Sequence, residues 1–141
     1  MRGLIFTGER RTPVQDGPID VVVEDFNEDG TLDVITANDG SEGLSVLLGR
    51  QDGAFERARF IPLEARAVRV MSADINGDEH LDLIVLLPFS LSMQVLLGQG
   101  NGTFEANAPQ VLGAPASRMA IADINRDEHL DLIIAFPLAD L

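Results

Sequence analysis

Asp25-Phe26-Asn27-Glu28-Asp29-Gly30-Thr31-Leu32-Asp33 is the stretch on which the fold turns, because it returns as DINGDEHLD from Asp74 and as DINRDEHLD from Asp123, each time 49 residues further on. A fixed spacing of this length marks an array built from one supersecondary unit, such as a propeller or a solenoid. The spacing holds beyond the acidic stretch. Val46-Leu47-Leu48-Gly49 recurs as Val95-Leu96-Leu97-Gly98, and Phe6, Phe55 and Phe104 each stand 19 residues before the first aspartate of a segment. Residues 1–141 therefore read as a single repeat region of period 49, with 1–42 as partial blade material and 43–91 and 92–140 as successive units.

The flanks of each acidic segment are short, apolar and rich in β-branched residues, so they read as strands. Ile19 to Glu24, Ala67 to Ala73 and Arg118 to Ala122 lead into the aspartates, and Val34 to Ala37, Leu83 to Leu87 and Leu132 to Phe136 follow them. The aspartates thus form a strand-to-strand loop. A third strand is expected over Leu44 to Leu48 and over its copy Met93 to Leu97. After it, Asp52-Gly53 and Asn101-Gly102 supply the positive φ angles of a hairpin turn, and a fourth strand is expected to begin at each phenylalanine. No stretch between the acidic loops has the apolar spacing of a competing helix. Four antiparallel strands per repeat, packed face to face with the next set, is the pattern of a propeller blade, so the expected fold class is all-β. Counted in order, the strands start with the fourth of one blade, complete two blades and stop after the second of another. That is an incomplete ring, expected to belong to a longer propeller, to a homo-oligomer, or to a sheet array that never closes.

Number the loop positions 1 to 9. Position 1 is Asp25, Asp74 or Asp123; position 3 is Asn27, Asn76 or Asn125; position 5 is Asp29, Asp78 or Asp127; position 9 is Asp33, Asp82 or Asp131. All are short oxygen-bearing side chains. Alternate positions of a tight loop can turn such groups toward one point, where a hard cation taking roughly six to eight oxygens would sit. Position 7, occupied by Thr31, His80 and His129, would add its main-chain carbonyl. Calcium suits this set better than magnesium, which keeps its waters, or zinc, which prefers nitrogen and sulfur. Up to three ions are expected. His80 and His129 are assigned side chains that face solvent, with zinc ligation as the alternative. A helix-flanked calcium loop would need glutamate at position 12, where this chain has Thr36, Val85 and Ile134. The competing account of the aspartates is that they cap turns through local hydrogen bonds. At position 6, Gly30 meets the expectation of a left-handed backbone, whereas Glu79 and Glu128 replace it in the other loops.

The acidic loop, the VLLG strand, the glycine turn ahead of phenylalanine, and Gly113-Ala114-Pro115 together resemble the FG-GAP/VCBS repeats found in integrin α-chain propellers and bacterial secreted proteins. The resemblance implies a propeller with calcium held between the first two strands of a blade by the four side-chain positions named above. It also implies a structural or interaction module at a cell surface or in secreted adhesion. The partner would be a protein or a glycan. Carbohydrate recognition, or a noncatalytic part of a secreted hydrolase or lyase, stands as the alternative, although the absence of Trp and Tyr removes the usual sugar-stacking platforms.

Composition narrows the remaining classes. The chain has 23 acidic and 10 basic residues, a formal charge of −13, which argues against a duplex nucleic acid partner and suits cations. There is no cysteine, hence no disulfide, thiolate site or thiol nucleophile. The apolar run at Leu4 to Phe6 is far short of a signal-peptide core, and no run approaches the length of a membrane-spanning helix. An extracellular setting is expected from calcium availability alone. Gly98-Gln99-Gly100-Asn101-Gly102 joins two strands and lacks the lysine of a phosphate loop, so it reads as a hairpin turn. Arg10, Arg11, Arg57, Arg59, Arg66 and Arg69 gather around the fourth strand and its exit. They read either as protection against sheet-edge pairing or as a patch for an acidic ligand. No segment resembles a catalytic triad or nucleophile elbow, and the chain is not expected to be an enzyme.

Overall fold

The computed structural model describes residues 10–137, and within them the chain folds as antiparallel sheets. β1 (Pro18–Glu24), β2 (Asp33–Asn38), β3 (Gly43–Leu47) and β4 (Arg59–Pro62) pair in chain order. β5 (Arg69–Ala73), β6 (Asp82–Leu87), β7 (Ser92–Gly98) and β8 (Phe104–Ala106) do the same, with β9 (Gln110–Val111) also paired to β7. β10 (Arg118–Ala122) and β11 (Asp131–Ala135) make a two-stranded sheet. The described strands do not close into a ring. Among the described residues the helical content is one 3-10 turn, Pro88–Ser90.

The 49-residue period is kept to the level of register. Val23 pairs with Val34, Ser72 with Leu83 and Ile121 with Leu132, so each acidic loop joins its two strands in the same alignment. The sequence units 43–91 and 92–140 each run from the third strand of one sheet to the second strand of the next.

The fourth strand differs from expectation. Phe55 makes only an isolated bridge to Gly49, and β4 begins at Arg59. In the next repeat β8 does begin at Phe104, but the strand breaks before resuming as β9. Pro109, just ahead of β9, has no N–H to offer a ladder. Phe6 lies outside the described residues, and residues 10–13, where the fourth strand expected from it would continue, form no strand.

The core explains why β6, Asp82–Leu87, is buried at every residue. Side chains alternate across a strand. Leu83, Val85 and Leu87 therefore join Ile35, Ala37, Leu44 and Val46 in a cluster between the first and second sheets, while Leu86 turns the other way to Met93, Met119, Leu132 and Ile134. A strand buried on both faces shows a continuous apolar run. The first strands β1 and β5 also stand side by side, where Asp20 Oδ2 accepts the Val70 N–H at 3.0 Å.

Candidate metal-binding loops

Each acidic loop is a ring of side-chain-to-backbone hydrogen bonds. In the first, Asp25 accepts the N–H groups of Asp29 (3.1 Å) and Gly30 (2.8 Å), Asn27 Oδ1 accepts that of Asp29 (3.2 Å), and Asp29 Oδ1 accepts that of Thr31 (2.8 Å). Asp74, Asn76 and Asp78 repeat this around Asp78, Glu79 and His80, and Asp123, Asn125 and Asp127 repeat it around Asp127, Glu128 and His129. At positions 3 and 5 the amide donates to the carboxylate in every copy: Asn27 to Asp29 at 2.9 Å, Asn76 to Asp78 and Asn125 to Asp127 at 2.8 Å. The Asn27 amide, followed by the Thr31 N–H, holds the Asp29 carboxyl below the ordinary carboxylate range. For Asp78 the His80 N–H contributes most, followed by Asn76.

Position 9 has a structural task that its spacing did not announce. Asp33 and Asp82 are wholly buried, and each grips the main chain at two remote points. Asp33 Oδ2 accepts the Phe26 N–H at 2.9 Å and its Oδ1 that of Gly49 at 2.7 Å. Asp82 takes Ile75 at 2.9 Å and Gly98 at 2.8 Å. Asp131 holds Ile124 at 2.9 Å. This accounts for the glycine that ends the VLLG strand: a Cβ at Gly49 would stand 2.2 Å from the Leu32 carbonyl oxygen, and one at Gly98 2.1 Å from that of Leu81.

The backbone is left-handed at two positions of every loop. Position 6 is so at Gly30, Glu79 and Glu128 (φ 84°, 71° and 69°), and position 4 at Glu28, Gly77 and Arg126 (φ 58°, 76° and 62°). The position-6 requirement was legible from Gly30. That of position 4 was not, and it divides the loops differently: the first two have glycine at one left-handed position, the third at neither.

The histidines part company. His129 is exposed, as expected. His80 instead turns to the neighbouring loop, with Nδ1 2.6 Å from Glu28 Oε1, and this hydrogen bond raises its pKa above the usual imidazole value. Residue 77, which corresponds to Glu28 one repeat on, is glycine, so His129 meets no such carboxylate. The β7–β8 turn completes the junction. Gly102 donates its N–H to the Phe26 carbonyl at 3.1 Å, and Phe104 packs edge-on against Phe26 with ring centroids 5.8 Å apart.

The donor chemistry of each loop, three carboxylates, one amide and one carbonyl, fits a hard cation. Among the described residues no three acidic or histidine side chains converge as a ready-made metal cluster, since their oxygens face their own loop's N–H groups. A carboxylate has about four lone-pair sites, so Asp25 and Asp29 retain acceptor capacity beyond the N–H groups they hold.

The FG-GAP-like repeat family model matches residues 25–85 and 74–134, so that each match opens on the first aspartate of a loop. No curated protein and no solved structure gives a match. Repeats of this family build propeller-type structural or interaction modules and are generally noncatalytic. With two overlapping matches that span most of the chain, four-stranded antiparallel sheets and loops in one register, this protein belongs to the FG-GAP-like repeat family.

Proposed function

We infer that the protein is a calcium-stabilised interaction module, whose loops take up to three calcium ions that order them for display to a partner. The observation that carries this reading is threefold repetition of one oxygen-only donor set, in one loop geometry, at Asp25, Asp74 and Asp123 and the residues that follow them. Positions 1, 3, 5 and 9 would supply side-chain oxygens, and Thr31, His80 and His129 their carbonyls. Bound calcium would also offset part of the −13 charge. An exported or cell-surface setting, as in secreted adhesion, follows from this chemistry, because extracellular calcium fills weak sites that the cytosol leaves empty. Repetition of one loop in one register supports a scaffold over a single active site.

Calorimetric titration with calcium, paired with melting in calcium and in chelator, tests the metal. Uptake of up to three ions and a rise in melting temperature are expected. No heat and an unchanged melting temperature would overturn it.

A further inference from the structure

Two equivalent grooves lie one repeat apart, and they differ in charge. In the first sheet a groove of about 400 Å³ runs between the incoming segment, Thr12 to Gln15, and the broken fourth strand, where Arg57 and Arg59 line it. In the second sheet a groove of about 460 Å³ runs between Pro62 to Glu64 and Ala106 to Pro109. A shift of 49 residues superimposes one set on the other: Arg57 becomes Ala106, Arg59 becomes Ala108, Gln15 becomes Glu64 and Ser45 becomes Gln94. The same fold is therefore built without the arginines.

The floors differ as well. Gln94 reaches across its groove to donate to the Asn107 carbonyl at 2.8 Å, and its own Oε1 is buried. Ser45 is too short to do the same; its hydroxyl instead accepts the Gln15 N–H at 3.2 Å and the Asn38 amide at 3.0 Å. The first groove carries the arginines, in a chain whose acidic residues outnumber its basic ones 23 to 10. Glu56 binds Arg59 at 3.2 Å, an exposed contact that a second carboxylate can share or displace. Arg10, from the adjoining segment, reaches the Gly53 carbonyl at 3.0 Å and adds its charge beside the groove.

We propose that this groove, lined by Arg57 and Arg59, binds an acidic peptide segment in extended conformation. Arg57 and Arg59 both line the groove, two residues apart, and alternate residues of an extended peptide recur at about 7 Å on one face. Carboxylates at i and i+2 of a bound peptide share that repeat, and guanidinium forks match carboxylates bidentately. Phe55 and Phe60, which also line the groove, supply apolar surface for the intervening side chains. The proposal rests on the interaction-module reading but not on the metal.

Fluorescence anisotropy of the full chain with a labelled octapeptide of alternating glutamate and threonine tests it, run in calcium and again in chelator. Saturable binding that weakens steeply with salt is expected. Arg57→Ala with Arg59→Ala, the residues the second groove carries, should weaken it about tenfold or more with an unchanged circular dichroism spectrum. Arg66→Ala with Arg118→Ala removes the same charge at residues that do not line the groove and should leave affinity within about twofold. Absence of binding, equal loss in both double variants, or uptake of a sulfated oligosaccharide in place of the peptide would overturn the proposal. Binding indifferent to Arg57 and Arg59 would overturn the groove while leaving the interaction module standing, and the calcium titration judges the metal separately.

Discussion

Asp82 and Gly98, sixteen residues apart, are joined by a 2.8 Å hydrogen bond from the glycine N–H to a wholly buried carboxylate, and Asp33 and Gly49 repeat the bond one period earlier at 2.7 Å. One carboxylate thus fastens the acidic loop to the end of the third strand. Asp82→Ala strands the buried N–H of Gly98 and the part-buried one of Ile75, and should cost about 1–3 kcal/mol in urea unfolding. Gly98→Ala drives a Cβ into the Leu81 carbonyl and should cost about 1–3 kcal/mol with the carboxylate intact. A variant at either site that unfolds at the wild-type midpoint would deny the fastening.

The left-handed positions set an order among the loops. A side chain held there costs about 1–2 kcal/mol, and the third loop holds two, Arg126 and Glu128. On the proposed calcium reading, affinity should be lowest in the third loop, where ordering the free loop must hold two side chains in the left-handed region. Arg126→Gly with Glu128→Gly should raise it, while Gly77→Ala in the second loop should lower stability by about 1 kcal/mol. Site-resolved titration by NMR reports the order, and equal affinities would contradict it.

Position 2 is a core residue only where the turn between the third and fourth strands of the following sheet covers it. Phe26 is 4 % exposed beneath Phe104, whereas Ile75 and Ile124 are 38 % and 64 % exposed. Phe26→Ala should cost about 3–5 kcal/mol, and Ile75→Ala under about 1 kcal/mol. Comparable losses in thermal melts would mean that the sheets do not stack as described.

His80 and Glu28 make a pH-dependent contact between neighbouring loops. The folded pKa of His80 lies above the usual imidazole value of 6.5, chiefly through its hydrogen bond to Glu28. The contact's contribution is therefore complete below the unfolded imidazole pKa and is lost as pH rises through the higher folded value. In chelator, the His80 ring resonances should titrate above 6.5, and Glu28→Gln should bring the midpoint down. An unmoved midpoint would show that Glu28 is not the cause.

Much of the fold was legible in the chain because period and alternation are properties of one dimension. The 49-residue spacing, the strands either side of each acidic loop and the oxygen-only residues at positions 1, 3, 5 and 9 needed no neighbour to be recognised. The break after Phe55 was not legible, since pairing there depends on how the strand meets β3. Nor was the positive φ at position 4, where Glu28 and Arg126 give no sign of it.

The sequence by itself determined the all-β repeat and the acidic loop, through spacing, hydrophobic alternation and turn chemistry. Tertiary structure decided what each copy of a position does. Phe26, Ile75 and Ile124 share one place in the repeat and differ in burial; His80 meets a carboxylate that His129 lacks; Arg57 and Ala106 line matching grooves of different charge. The reason is physical: a side chain's surroundings come from the adjoining sheet as much as from its own, and in an array each copy has a different neighbour.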